Sequence, residues 1–283
     1  MDTISFARGI PAPECLPSAD LADCARAAIE HDGSTVLNYG PGGGYEPLRG
    51  WLAERHRVEP ERIVLTNGSL QGFLFLANCL AGRGPVLVED DPYGLVRFEG
   101  QALPTLFELD GGANVVYGSS FSKTVAPGLR VGYLVLPPGL ASEVEAEATS
   151  TYITPALLPQ ATTHEYLERG LFEGNLARTR AALQVRRDAM LGALARKLPD
   201  ARWTTPEGGY FLWLELPEGI RTEHVAARAR AAGVTFVPGT DFFLGRGGEG
   251  ALRLAYSLAS PAEIDEGVTR LASAVGCSLR SAA

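Results

Sequence analysis

An amine, a guanidinium and several hydroxyls fall within one short stretch of this chain: Ser119, Ser120, Ser122 and Lys123, followed by Arg130. A lysine amine forms a Schiff base with an aldehyde, and an arginine guanidinium cannot. The chain has two lysines, Lys123 and Lys197, against 23 arginines, so a lysine kept at this spot points to amine chemistry rather than to charge alone. Arg130 offers a planar donor fork suited to phosphate or carboxylate. Each also has a plainer reading, as a surface lysine and a surface ion pair.

Three more places carry candidate groups. Gly68-Ser69 lies between an apolar strand and a helix start, where free N–H groups and the helix dipole favour an anion; the plainer reading is a capping serine. Glu89-Asp90-Asp91-Pro92-Tyr93 follows an apolar strand, at the edge where open α/β sheets bind ligands. Carboxylates buried there need partners, and a protonated heterocycle nitrogen is one; otherwise this is a solvated acidic turn. Arg253 interrupts the apolar run from Ala251 to Tyr256. It suits bidentate binding of a substrate carboxylate, or else lies on the solvent face of an amphipathic strand. Gly245 to Gly250 matches GxGxxG but precedes a strand, so no dinucleotide site is inferred.

The elements that must position these groups follow from pattern. Pro11, Pro13 and Pro17 predict an irregular arm, with Ser18-Ala19-Asp20 capping a helix through Glu30. A glycine loop from Tyr39 to Tyr45 leads into a helix from Pro47 to about Arg55. Strands are expected at 63–65, 85–88, 115–117 and 131–135, with an apolar helix to Leu80. Their alternation with helices predicts an α/β sheet of parallel character. A long helical stretch, about 167–197, then precedes alternating segments at 209–215, 234–237 and 252–257, which read as antiparallel strands of an α+β domain. The expected division is an arm and helix (1–35), a large domain (36–150) and a small domain (151–283), with the boundary in 138–170.

Composition restricts the functional classes. A formal charge of −8 disfavours general nucleic-acid binding, and the cluster of Arg178, Arg180, Arg186 and Arg187 is read as a solvated helix face. Four separated cysteines, Cys15, Cys24, Cys79 and Cys277, without CxxC or histidines at metal spacing predict a reduced, cytoplasmic protein with no metal site. The first residues lack a signal-peptide pattern, and no apolar run reaches about 20 residues, so no membrane span is expected.

Together the residues Ser120-x-Ser122-Lys123-x-x-x-Pro127-Gly128-Leu129-Arg130-x-Gly132-Tyr133, with Asp90-Asp91-Pro92-Tyr93 upstream, closely resemble the class I/II aminotransferases of pyridoxal phosphate (PLP) fold type I. The resemblance is nearest to 2-aminoadipate and MocR-type aminotransferases. It extends from Ile4–Pro11 and Asn38–Arg49 to Pro206–Trp213 and Leu252–Leu254, nearly end to end. It implies an α/β large domain with a smaller α+β C-terminal domain, PLP as cofactor, and amino-group transfer from an amino acid to a 2-oxo acid.

The resemblance also implies roles. Lys123 would hold PLP as a Schiff base and shuttle protons. Asp90 would pair with the ring nitrogen and Tyr93 would bond the ring oxygen. Gly68, Ser69, Leu70, Ser120, Ser122 and Arg130 would surround the phosphate, helped by Tyr39 from a second subunit of a homodimer. Arg253 would clamp the substrate carboxylate, with Gly9 and Tyr39 beside it. The chain departs from the family near 84–90: Leu76–Arg83 reads both as the helix after Gly68-Ser69 and as the helix that precedes Asp-Asp-Pro-Tyr, the two merged, and a block of large-domain sheet is missing, so exposed apolar surface is expected. Alternatives are a specialised PLP-dependent lyase or decarboxylase, and a non-catalytic PLP or amino-acid sensing module.

Overall fold

The computed structural model describes residues 2–282. In chain order its elements are β1 (Ile4–Ser5), α1 (Ser18–Val36), α2 (Glu46–His56), β2 (Ile63–Thr66), α3 (Ser69–Leu80), β3 (Val88–Asp90) and α4 (Leu106–Leu109). Next come β4 (Val116–Ser120), β5 (Gly132–Val135), α5 (Leu140–Tyr152), α6 (Leu157–Glu168) and α7 (Leu171–Lys197). The last are β6 (Arg202–Trp203), β7 (Phe211–Glu215), α8 (Thr222–Ala231), β8 (Val234–Thr235), β9 (Val237–Pro238), β10 (Ala251–Ala255) and α9 (Pro261–Ala282). Two compact units result. The first holds Leu16–Leu95 and Gln101–Ala177; the second holds the residues up to Cys15, Val96–Gly100 and the chain from Arg178 onward.

This division differs from the one drawn on sequence. Helix α6 joins the first unit because it packs on α1 and α2, moving the boundary to Ala177, inside α7. The N-terminal arm joins the second unit because β1 pairs in parallel with β8. The helical stretch expected from about 167 to 197 is α7, which starts at Leu171 and ends at Lys197; the first residues of that stretch belong to the preceding helix α6. Gly170, at φ 67°, ends α6 in a left-handed turn that few other residues adopt. Ser18 opens α1 rather than capping it; the cap position is Pro17, with no side-chain bond.

The first unit holds a four-stranded sheet of order β2-β5-β4-β3. Its parallel character is confined to the β3–β4 pair, since β2–β5 and β4–β5 are antiparallel. The link over 121–131 is too short for a helical crossover, so β5 must return antiparallel. β3 begins at Val88, later than the expected Pro85, and it lies at the edge of the sheet. The core beneath combines Val64, Val116 and Leu134 of the sheet with Phe75 and Leu76 of α3 and Val144 and Ala148 of α5. Truncating the fully buried Leu134 to alanine would cost about 2–5 kcal/mol. Leu70 and Leu74 on α3, and Val86, Leu87 and Val88 at the edge strand, are exposed, as a shortened sheet requires.

The second unit carries an antiparallel sheet of order β6-β7-β10-β9, as expected for segments 209–215 and 252–257, whereas Val234–Thr235 of the segment 234–237 lies outside it and pairs in parallel with β1. Two arginines read as solvated are buried here. Arg187 is 4% exposed; it pairs with Glu99 at 2.6 Å and Asp188 at 2.7 Å, and donates to Pro206 O at 2.7 Å. Arg186 pairs with Glu14 and donates to Ala259 O. The middle of α7 thus faces protein, and each buried guanidinium has the carboxylate that burial demands. Cys15 and Cys24 are buried and free, Cys79 is free, and the side chain of Cys277 lies outside the described residues.

Candidate active site

In the first unit, three chain reversals bring the predicted groups to one end of the sheet. The first is the corner between β2 and α3. Gly68 occupies the cap position at φ 90°, and Ser69 is the first helical residue, not a capping serine. The N–H groups of Ser69 and Leu70 belong to the first helical turn and have no intrahelical carbonyl to bind. The Leu70 side chain points away and is 79% exposed, so only its backbone can serve an anion.

The second reversal follows β4. Ser120 Oγ donates to Ser122 Oγ at 2.7 Å and accepts from Ser122 N at 2.9 Å, which closes the turn in front of Lys123. Asn175 of α7, 1% exposed, donates to Thr124 O at 3.3 Å and holds the lysine loop from behind. The loop ends at Arg130 in a left-handed conformation (φ 53°), uncommon for a residue with a side chain. Gly132 then opens β5. A Cβ there would lie 2.3 Å from Ser69 N, so only glycine admits this approach. The approach brings the Arg130 guanidinium against Gly68, with Nη2 2.1 Å from where a Gly68 Cβ would be.

The third reversal follows β3. Asp90 ends the strand opposite Gly118 of β4, and Tyr93 lies two residues past Asp91. Lys123 Nζ stands 5.9 Å from the centroid of the Tyr93 ring. Asp90 is exposed at the sheet edge; partial desolvation by its surroundings, and then the adjacent Asp91, push its carboxyl above the usual carboxylate range. Asp91 is tied down: its carboxylate accepts from Gly94 N at 2.6 Å and Tyr117 OH at 3.1 Å. Tyr117 and Asn175 were not among the sequence candidates, and Asp91 was one of the quoted carboxylates without a role of its own, because their importance lies in bonds that no spacing rule encodes.

Tyr39, 75% exposed, does not join this cluster. It lines an open groove of about 670 Å³ with Asn67 and residues 154–159. In the second unit Arg253, on β10, is half-buried, not on a solvent face. Its Cζ lies 3.9 Å from the centroid of the Phe211 ring and 5.0 Å from that of Phe242, and its Nη2 donates to Ala7 O at 3.3 Å. Gly9 lies against Phe211, where a Cβ would come within 2.3 Å of Cζ.

Residues 86–271 match the family described as aminotransferase class I and II. The chain belongs to that family. This aminotransferase is 34% identical to the 2-aminoadipate transaminase of Thermus thermophilus, over 96% of the chain and 90% of the relative. That alignment spans 358 positions against a chain of 283 residues, so the relative carries an internal segment absent here. The chain is also 37% identical to the transcriptional regulator TauR of Rhodobacter capsulatus, over 69% of the chain and 41% of the regulator. Among solved structures, the α-aminoadipate aminotransferase of Thermus thermophilus, complexed with N-(5′-phosphopyridoxyl)-L-leucine, matches with a TM-score of 0.89 and 31% identity. The match covers 99% of this chain and 93% of that one, and it places the fold in PLP fold type I. The family is PLP-dependent, and this chain is a PLP-dependent amino-group transferase.

The first unit fits that cofactor on two counts. The Asp90 carboxylate, exposed at the sheet edge, has no protein hydrogen-bond or ion-pair partner among the described residues and is free to pair with a cationic ring nitrogen. Arg130 likewise has no carboxylate partner there, although it borders a helix N-terminus built for an anion. Among the described residues no helix is long and apolar enough to cross a membrane, and no group of His, Cys, Asp and Glu forms a metal site.

Proposed function

We propose that this aminotransferase moves an amino group from an amino acid to a 2-oxo acid with Lys123 as its central residue. The supporting observation is the convergence of Lys123, Tyr93, the Asp90 carboxylate and the Arg130–Gly68–Ser69 cradle within one unit. PLP, when bound, supplies the electron sink for charge developing at the amino acid Cα. Lys123 supplies the amine that holds the cofactor and, once displaced, takes the proton from Cα. Asp90 keeps the ring nitrogen protonated, and Tyr93 donates to the ring oxygen. Ser69, Ser120, Ser122, Arg130 and the Gly68–Leu70 backbone bind the phosphate, where a guanidinium and a helix N-terminus act together.

Arg253 takes the substrate carboxylate. Phe211 and Phe242 hold its guanidinium flat, which lowers the entropy lost when the planar fork engages. Gly9 leaves room beside Phe211. The exposure of Tyr39 supports a homodimer in which Tyr39 of the partner subunit reaches the phosphate. No feature among the described residues favours a lyase or a sensing module over transamination.

A single-turnover experiment tests the proposal. Incubated with an amino donor alone, the PLP-loaded protein should release one oxo acid per site, and Lys123→Ala should abolish that release. Carbon dioxide or an eliminated side chain in place of the oxo acid would instead indicate the lyase. Tight amino-acid binding with no product would indicate the sensing module.

A further inference from the structure

Asp91 stands between the two residues proposed to touch the cofactor ring, and it is the most firmly held residue of its turn. Its N–H donates to Gly118 O at 2.9 Å, and its carbonyl accepts from Ser119 Oγ at 2.7 Å. Its carboxylate accepts from Gly94 N and from the Tyr117 hydroxyl. A Cβ on Gly94 would lie 2.4 Å from Asp91 Oδ2, so the closed turn also needs glycine there. Three of these four bonds come from β4, two of them from the backbone of Gly118 and the hydroxyl of Ser119. The third is the only one that reaches Asp91 from a buried aromatic side chain.

Tyr117 is 5% exposed. Its ring packs within a cluster formed by His56 (centroids 5.0 Å apart), Phe107 (6.0 Å) and Tyr133 (6.3 Å). These rings fix the direction of its hydroxyl. Burial, with Tyr133 and Asp91 nearby, pushes its pKa up, so the hydroxyl keeps its proton and acts as a donor. A donor held rigidly by packing, aimed at a carboxylate, is how a support fixes a residue that performs chemistry. The Asp90 backbone is held by its place in the β3–β4 ladder, but its side chain has no bond of its own, so the turn that follows decides how it and Tyr93 are presented.

We propose that Tyr117 is a positioning residue which, through Asp91, fixes the turn that presents Asp90 and Tyr93 to the cofactor ring. This rests on the roles given to Asp90 and Tyr93 above.

The test uses the PLP-loaded protein and Tyr117→Phe, which keeps the ring and removes the hydroxyl. Two quantities are read: the pH midpoint of the absorbance change of the lysine-bound cofactor, and the PLP dissociation constant. Losing a hydrogen bond to a charged group should weaken PLP binding by about 3- to 10-fold, with part of the bond's worth transmitted through Asp91. It should also move the absorbance midpoint by about half a unit. Phe107→Leu, which loosens the same packing but spares the hydroxyl, should lower thermal stability and leave the midpoint in place.

A midpoint and dissociation constant equal to wild type in Tyr117→Phe would overturn the proposal, and so would equal shifts in Phe107→Leu. Should Tyr117→Phe fail to fold, Asp91→Ala removes the same bond from its other end. It should reproduce the shift, and wild-type values there would also overturn the proposal. Wild-type protein without any Lys123-dependent absorbance would instead refute the cofactor roles on which the proposal stands.

Discussion

Replacing Arg130 with glycine should separate cofactor binding from protein stability. Arg130 is exposed, its backbone is left-handed (φ 53°), and its bond from Nη1 to Pro127 O is a long 3.3 Å. The left-handed region costs a residue with a side chain about 1–2 kcal/mol, which glycine avoids. Glycine's extra freedom in the unfolded chain takes back about 0.5–1 kcal/mol. The cofactor-free protein should therefore be as stable as wild type or more stable, by up to about 1.5 kcal/mol. The phosphate, by contrast, loses a charge-assisted donor worth about 1.5–3 kcal/mol. At 1.4 kcal/mol per decade, that weakens PLP binding by about 10- to 150-fold. Urea unfolding of the cofactor-free protein and equilibrium titration with PLP measure the two quantities separately. Unchanged PLP affinity would refute the placement of Arg130 at the phosphate. A fall in stability matching the fall in affinity would refute the strain argument.

Two further substitutions test the electrostatics of the first unit. Asp90 has its carboxyl pKa raised by partial desolvation and by Asp91, so the folded protein holds that proton more tightly than the unfolded chain. Its stability contribution therefore falls as pH rises through the folded pKa; Asp90→Asn should stabilise the cofactor-free protein at pH 7 and not below the unfolded pKa of about 3.9, as paired urea melts would show. His56 has the opposite sign. Burial, and then Arg55, lower its pKa from 6.5 to about 4, so stability is lost as pH falls from 6.5 towards 4. His56→Phe should flatten that slope by about 3 kcal/mol across the window, and a slope equal to wild type would show that His56 is not buried neutral.

Much of this architecture was legible in the sequence, and the misses have physical causes. The strand cores, the apolar helix α3 and the antiparallel second sheet follow from periodicity and apolar runs. Strand direction in the first sheet does not, because it is set by loop length: the link over 121–131 sends β5 back antiparallel. The unit boundary was displaced because α6 carries an apolar face matched to α1, and no linker composition marks that partnership. Buried Arg186 and Arg187 looked like surface charges, since their carboxylates, Glu14 and Glu99, are remote in sequence.

At the site, the glycine and serine spacing pointed to the Gly68–Ser69 corner and the Ser120–Ser122 turn proposed to hold the phosphate, because each is a local feature of one turn. Gly132 was visible in the motif, but its reason, contact with Ser69 N, appears only in three dimensions. Tyr117 and Asn175 escaped notice because each acts through a long-range bond, and Asp91, quoted in the motif, was given no role because its partners on β4 are remote in sequence.

The central claim, that the Lys123 amine holds PLP, has a direct measurement. The PLP-loaded protein is reduced with borohydride, digested, and its peptides are mapped by mass. The label is expected on Lys123, with Lys197 unmodified; Lys197 is already engaged with Asp265 and Thr269. Protein that binds no PLP, or label on Lys197 or the N-terminal amine with Lys123 unmodified, would contradict it.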